Sequence, residues 1–371
     1  MKTDRTLPVR AGIVRFTPEG GGLNEEHLTL RVLDASLSFR EQANAVLEAY
    51  TRQTAGRKVL FRRFFLSDPA NQAGVLRDAL SGLPRCATSV VGQPPLDGTR
   101  IAAWVYSVPG EGPSDEGFRH NGFTHVWTGG MRAPGADSEA QTASLFEAYG
   151  AFLAGKGLTT ADDCLRTWLF VRDVDLHYGG VVKGRRGHFT KIGLTPETHF
   201  IASTGICGTA DDPHSLVTMD TYAVGGLCEG QVRYLYAGDH LSPTALYGVT
   251  FERGTAVTYG DRTHVLISGT ASIDKDGQVV HEGDVSRQTE RILENVGALL
   301  AEAGAGFGDV ACSIVYLRDY ADYGLVRDVL SRVQPSLNPL YVLAPVCRPA
   351  WLVEMECLAI ARKGDASFHA F

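Results

Sequence analysis

The feature that most constrains this chain is an internal repeat. His125 opens HVWTGG and His264 opens HVLISGT. SEAQTASLFEAYGAFLAGKG is then matched by SRQTERILENVGALLAEAGAG, with Gln141-Thr142 lying over Gln288-Thr289. Both segments place apolar residues at helical spacing: Leu145, Tyr149 and Phe152 in one, Ile292, Val296 and Leu299 in the other. Glycines suited to helix C-caps close each of them. The runs CLRTWLFVRD and CSIVYLRD follow as strands ending in Arg172-Asp173 and Arg318-Asp319, and a tyrosine, Tyr178 or Tyr323, opens the next helix. Each half therefore reads strand, strand, helix, strand, helix, strand, with two helices on one face of a mixed sheet. The expected fold class is α+β, in two tandem domains: residues 1–225, with extra N-terminal strands, and residues 226–371.

Ahead of the repeat, the first 25 or so residues look irregular, and Gly20 to Gly22 form a flexible run. His27 to Phe39, Val59 to Leu66, and Thr88 to Val108 read as strands, the last interrupted by GQPPLDG. Gly110 to Asn121 is polar and turn-rich, so it reads as a surface loop. A net charge of −7 excludes the basic face that nucleic acid or anionic lipid would need. No apolar run is long enough to span a bilayer, and MKTDRTLPVR lacks the apolar core of a signal peptide. Seven cysteines without a C-x-x-C pair suit reduced thiols and a cytoplasmic setting. The histidines, His125 and His240 included, show no metal-ligand spacing, and Gly20 to Gly22 lack the strand, lysine and helix start of a phosphate loop. Neither a metal nor a nucleotide cofactor is expected. The partner to expect is a small molecule.

Chemistry concentrates in Leu340 to Ala361, LYVLAPVCRPAWLVEMECLAIA. Two apolar runs broken by Pro345 and Arg348-Pro349 read as strands meeting at a hairpin-like corner. Glu354 and Glu356 share one face of the second strand, with Val353, Met355 and Cys357 on the other. Two carboxyls on an apolar strand are costly unless partnered or solvated. A buried carboxyl has a raised pKa, which suits a proton donor near neutral pH. A wet strand face is the alternative for the pair.

HVLISGTASID, the helix start GD-x-x-x-Q-T-x-R, VYLRD and VEMECLAIA resemble the YjgF, or Rid, family over about 110 residues of the second half. That family implies an α+β sheet with two helices, usually assembled as a trimer, so two tandem YjgF-like domains and a possible homo-oligomer are expected. VGQPPLDGTRIAAWVYSV, RTWLFV, STGICG, SPTALYGVTFERG and VCRPAWLVE extend the resemblance to a narrower branch, the chorismatases. The resemblance implies that Glu354 is the catalytic acid and that Arg253, after Tyr247-Gly248, binds a substrate carboxylate. It implies that Arg185, after Tyr178, does the same. Gly269 and Cys347 stand where they resemble the 3-hydroxybenzoate-forming subtype. The segment departs from the branch at Gly179-Gly180, where an arginine and an aromatic residue are expected, and again after STGICG.

The implied activity is conversion of chorismate to a hydroxybenzoate plus pyruvate without a cofactor. Cleavage begins when a protonated acid delivers its proton to the vinyl carbon, and guanidinium groups bind the two carboxylates bidentately. A Rid-like imine or enamine deaminase or cyclase in natural-product biosynthesis would use the same acid and arginine. A non-enzymatic carboxylate binder is the third reading. Arg253 reads also as a salt-bridge partner, Arg185 as an exposed helix end, Cys347 as a packed thiol and Tyr247 as a turn aromatic.

Overall fold

Gln42, Gln141 and Gln288 each stand at the fourth residue of a helix, and each side-chain oxygen accepts one backbone N–H immediately before a long strand. The donors are Arg100 at 2.8 Å, Leu216 at 2.8 Å and Leu352 at 2.9 Å. Three such glutamines mean three units. The structure is a computed structural model describing residues 8–371, apart from the side chains of Ala245 and Tyr247.

The first unit runs β1 (Val9–Phe16), β2 (Glu25–Val32), α1 (Phe39–Gln53), β3 (Arg57–Leu66), α2 (Pro69–Leu80), β4 (Ala87–Gly92) and β5 (Ile101–Pro109). The second runs β6 (Phe118–His120), β7 (Phe123–Met131), α3 (Ser138–Ala154), the short α4 (Thr160–Asp163), β8 (Cys164–Val171), α5 (Val174–Lys191), β9 (Ala202–Cys207) and β10 (Val217–Gly225). The third runs β11 (Val232–Leu235), β12 (Gly254–Thr258), β13 (Thr263–Ala271), α6 (Val285–Glu302), β14 (Val310–Leu317), α7 (Tyr323–Val333), β15 (Leu340–Leu343) and β16 (Val353–Ala361). The sheet orders are β1-β2-β5-β3-β4, β6-β7-β10-β8-β9 and β11-β12-β13-β16-β14-β15, one topology with an added edge strand in the third. In each sheet one strand pair is parallel, β3 with β4, β8 with β9 and β14 with β15. A parallel pair needs a crossover, and α2, α5 and α7 supply it.

The long helices start where short polar side chains cap them: Ser38, Asp137 and Asp284 each accept a backbone N–H from the first turn of α1, α3 and α6. The helices cover the outer sheet faces. The inner faces bring Phe61, Trp104, Trp127 and Trp168 together, with Trp104 and Trp168 ring centroids 6.1 Å apart. β4 lies against β7, β9 against β13 and β14 against β2, so the three units close a ring.

The mixed α+β fold with repeated sheet and helix units is as expected, and α3 and α6 hold equivalent places in their sheets. Several local expectations need correction. The N-terminal region is a complete unit, not extra strands: Val9–Phe16 is a strand, and Phe39 begins α1 instead of ending a strand. Ser38 and Glu41 form a capping box ahead of buried Val46, Leu47 and Tyr50, a helix signal that outweighs the alternation before it. The span 1–225 thus holds two units and 226–371 the third. The first and second units have five strands and the third six, against the four that the repeat predicts. β15 and β16 do not form a hairpin, because β14 lies between them. All seven cysteines are free thiols, and among the described residues no helix is long and apolar enough to cross a membrane.

Candidate active site

The second and third units meet around a small, largely enclosed cavity. Tyr178 and Arg185 reach it from α5, Gly205 from β9, and Gly269 from β13. Arg253, Cys347 and Glu354 complete the third unit's side. The fold thereby gathers Glu354, Cys347, Arg253, Arg185, Tyr178 and Gly269 at one place. Tyr247 ends a short 3-10 turn, Thr244–Tyr247, and its side chain lies outside the described residues.

Glu354 is the second residue of β16, where the other two units carry Thr218 in β10 and Ala102 in β5. Only one of the three equivalent strands therefore presents a carboxyl at this place. β13 bulges beside it: Ile267 pairs with Cys357 and Thr270 with Met355, so Ser268 and Gly269 together face Glu356. The bulge brings the Gly269 backbone against the acid, and a Cβ there would lie 2.2 Å from Glu354 Oε1. Burial, then the neighbouring Glu356 charge, push the Glu354 pKa up to about 8, against the opposing pull of Arg166 and Arg253. Glu354 is thus a buried carboxyl kept protonated near neutral pH.

Two buried guanidinium groups face this acid. Arg253 donates to the Ser242 carbonyl, through Nε at 3.3 Å and Nη2 at 3.0 Å, and its head lies 5.5 Å from the Phe251 ring centroid. Arg185 donates from Nε to Thr250 Oγ1 at 3.1 Å and from Nη1 to Ser203 Oγ at 3.3 Å. Its Nη2 is buried with no hydrogen-bond partner. A buried unsatisfied donor in a cavity wall is a place for an anion. Arg185 is 1% exposed, which removes its own reading as a solvated helix end, while Lys183 and Arg186 of KGRRG are exposed.

Packing explains the departure at Gly180, while a Cβ at Gly179 would meet open space. α5 packs closely on α3, so a Cβ at Gly180 would lie 2.2 Å from Ser138 Oγ, and one at Gly184 would lie 2.4 Å from the Glu139 carbonyl. Glycines let the helix carrying Tyr178 and Arg185 press against its neighbour. Gly205 does the same for the Tyr178 ring, whose Cε2 stands 2.8 Å from a Cβ built there. Burial and then the Glu354 charge push the Cys347 thiol up to about 12, so it remains a thiol, not a thiolate.

Glu356 is not on a wet face. Its Oε2 accepts from Arg166 Nη2 at 2.8 Å and from the Thr204 hydroxyl, while Oε1 accepts from Trp168 Nε1 at 2.8 Å. Thr204 also accepts the Gly269 N–H at 2.9 Å, tying β9, β13 and β16 together beneath the acid. Arg166 lies in RTWLFV, and Thr204 and Gly205 in STGICG, motifs that carry the resemblance but assign these residues no role. The signal for Arg166 was an arginine inside the apolar strand CLRTWLFV, a place it occupies only when paired.

Residues 254–361 match the family described as Endoribonuclease L-PSP. A RutC family protein of Pyrococcus abyssi (strain GE5 / Orsay) is 35% identical over 97 residues, 26% of this chain and 76% of its own length. The 3-aminoacrylate deaminase RutC of Acinetobacter baylyi is 33% identical over 97 residues, 26% of this chain and 77% of its own. A solved chorismatase structure is similar over 95% of this chain and 98% of its own, with a TM-score of 0.63 and 19% identity. That last likeness is one of fold. It covers all three units, whereas the family match covers the third alone.

Proposed function

Because this chain belongs, through its third unit, to the YjgF/RutC family, we propose that it is a cofactor-free enzyme of chorismatase type, converting chorismate to a hydroxybenzoate plus pyruvate. The observation that carries the reading is a buried Glu354, protonated up to about pH 8, facing a cavity that also holds Arg185 and Arg253. Glu354 protonates the terminal vinyl carbon of the enol ether, and the positive charge develops on the ether-bearing carbon. Water adds there and returns a proton to the Glu354 carboxylate. The hemiketal then breaks its C–O bond, releasing pyruvate. Loss of one water from the remaining ring diol gives the hydroxybenzoate, so water taken up and water lost balance.

Arg253 and Arg185 hold the two substrate carboxylates, since a buried guanidinium binds carboxylate with fixed bidentate geometry. The unpartnered Nη2 of Arg185 supports this role. Tyr178 walls the ring, and Gly269 with Cys347 favour 3-hydroxybenzoate as the product. The Tyr247 role rests on the resemblance alone. The setting proposed is the cytoplasm. The second and third units of one chain line the cavity, so the homotrimer that the resemblance implies is not needed to build it.

Incubation with chorismate, followed by enzymatic detection of pyruvate and chromatography of the aromatic product, tests the reading. Stoichiometric pyruvate with 3-hydroxybenzoate is expected. A second reading, imine or enamine deamination, is favoured by the identity with the 3-aminoacrylate deaminase. Ammonia release from an aminoacrylate, with chorismate left intact, would select it. A bound carboxylate without turnover of either would leave a binding protein.

A further inference from the structure

The first unit lines no part of the cavity, yet one of its side chains reaches the strand that carries the acid. Arg63 of β3 is fully buried. Its Nε donates to Asp220 Oδ2 of β10 at 2.9 Å, and its Nη2 lies 2.7 Å from the same oxygen. Its Nη1 stands 3.9 Å from Glu356 Oε1 of β16. The guanidinium is enclosed by Trp168, Phe170, Trp104 and Phe61, with centroids 4.7, 4.9, 5.3 and 5.4 Å away. A cation so enclosed has no water to screen it, and its field falls on the carboxylates it touches.

Asp220 and Glu356 hold the same place in their units. Each lies opposite the bulge of its sheet, and each is the register partner of an equivalent residue, Trp168 or Ile314. The first unit has Trp104 at that place, and the register partner of Trp104 is Arg63. Where a third carboxylate would stand, the first unit supplies the cation that two carboxylates share.

We propose that Arg63 is a positioning residue for the Glu354 acid: it divides one buried positive charge between Asp220 and Glu356, and so sets how much of the Glu356 charge reaches Glu354. The inference rests on the reading of Glu354 as the proton donor. Glu356 lies two residues along the same strand and cannot turn away, because Arg166, Trp168 and Thr204 hold both its oxygens. The charged groups bearing on Glu354 are Glu356 on its own strand, Arg166 from β8 and Arg253 from the segment before β12. Tyr178 and Arg185 face it from α5, and Cys347 and Arg348 from the corner before β16. Tyr316 and Cys312 of β14 and Cys357 of β16 feel the Glu356 charge, and burial keeps all three neutral. Arg63 and Asp220 complete the set from β3 and β10.

Arg63→Gln deletes the shared cation, so Glu356 is less screened and Glu354 holds its proton to higher pH. Asp220→Asn deletes the competing anion, gives Glu356 more of Arg63, and moves the Glu354 titration to lower pH. About 0.5–1 pH unit in each direction is expected, less than the 1–3 units of a directly adjacent charge. The double variant should return near the wild-type midpoint. Protonation is followed in the full chain by the carboxylic-acid C=O infrared band, as a difference against Glu354→Gln, with no substrate present. Opposite shifts support the proposal whether or not chorismate is turned over, so failure of the chorismate assay separates from failure here. Unmoved midpoints, or two shifts of the same sign, would overturn it. If Arg63→Gln does not fold, Asp220→Asn decides alone, since it keeps the shape and can still accept the Gly130 N–H now bonded at 2.7 Å. A midpoint unchanged or raised in that variant refutes the role.

Discussion

Gly269 and Glu354 are in such close apposition that a Cβ on the glycine would lie 2.2 Å from the carboxyl oxygen Oε1 and 3.1 Å from Thr204 Cγ2. The glycine does not serve a left-handed backbone, since its φ lies outside that region. It leaves room for the acid. Gly269→Ala should therefore fold, at an overpacking cost of roughly 1–3 kcal/mol. It should displace the carboxyl by a few tenths of an ångström to an ångström, lowering turnover by roughly 10²-fold. Steady-state kinetics beside thermal unfolding check this. A full loss of structure, or unchanged turnover, would mean the contact is not what positions the acid.

Arg253→Lys keeps the charge and loses the fork that bridges Ser242 and the cavity. Substrate binding should weaken by roughly 1–3 kcal/mol. Calorimetry with chorismate in a Glu354→Gln background measures binding without turnover. Equal affinity in the two proteins would remove Arg253 from the carboxylate.

Glu356→Gln separates structure from chemistry. The side chain is paired with Arg166 at 2.8 Å and lies 3.9 Å from Arg63, all three buried. Removing one member of a buried ion pair strands the others, at a cost of about 3–5 kcal/mol. Denaturant unfolding should show that loss, and turnover should fall with it. Stability close to wild type would mean that Arg166 and Arg63 do not depend on this carboxylate.

The second and third units were legible because strong signals coincide in them. α6 carries a strict apolar spacing, and Gln141 and Gln288 stand in the same register of matched helices. The first unit shares little of that sequence, although Gln42 makes the same bond. Its repeat is carried by topology, and topology is not written in residue identity when any apolar side chain serves an inner face. β1 looks irregular in the sequence because an edge strand is half exposed and lacks clean alternation. At the site, Glu354 stands out by itself as a carboxyl on an apolar strand, whereas Arg253 and Cys347 are legible only through the family resemblance. The supporting set is not legible, because Thr204 and Arg63 come from other units and only the closed ring brings them to β16. Glu356 shares its strand face with Glu354, and no local pattern tells which carboxyl is paired and which stands alone.

Glu354→Gln tests the acid itself, in two independent measurements. A glutamine keeps the shape but delivers no proton, so turnover should drop by about 10²–10⁴-fold. In wild type the acid must be protonated to act, and its pKa is raised to about 8. The rate should therefore hold below that pH and fall as pH rises through it; in Glu354→Gln this limb should vanish. A surviving limb would place the proton elsewhere. Stability follows the same proton with a definite sign. The folded-state pKa lies above the ordinary carboxyl value of 4.5, so the folded chain binds the proton more tightly than the unfolded one. That contribution is fully present below about pH 4.5 and is lost as pH rises toward about 8. Glu354→Gln carries no such loss, so relative to wild type it should gain on the order of 1–3 kcal/mol between pH 5 and pH 8. Unfolding curves at both pH values measure the gain. A difference that does not change with pH would mean that Glu354 is solvated and ordinary.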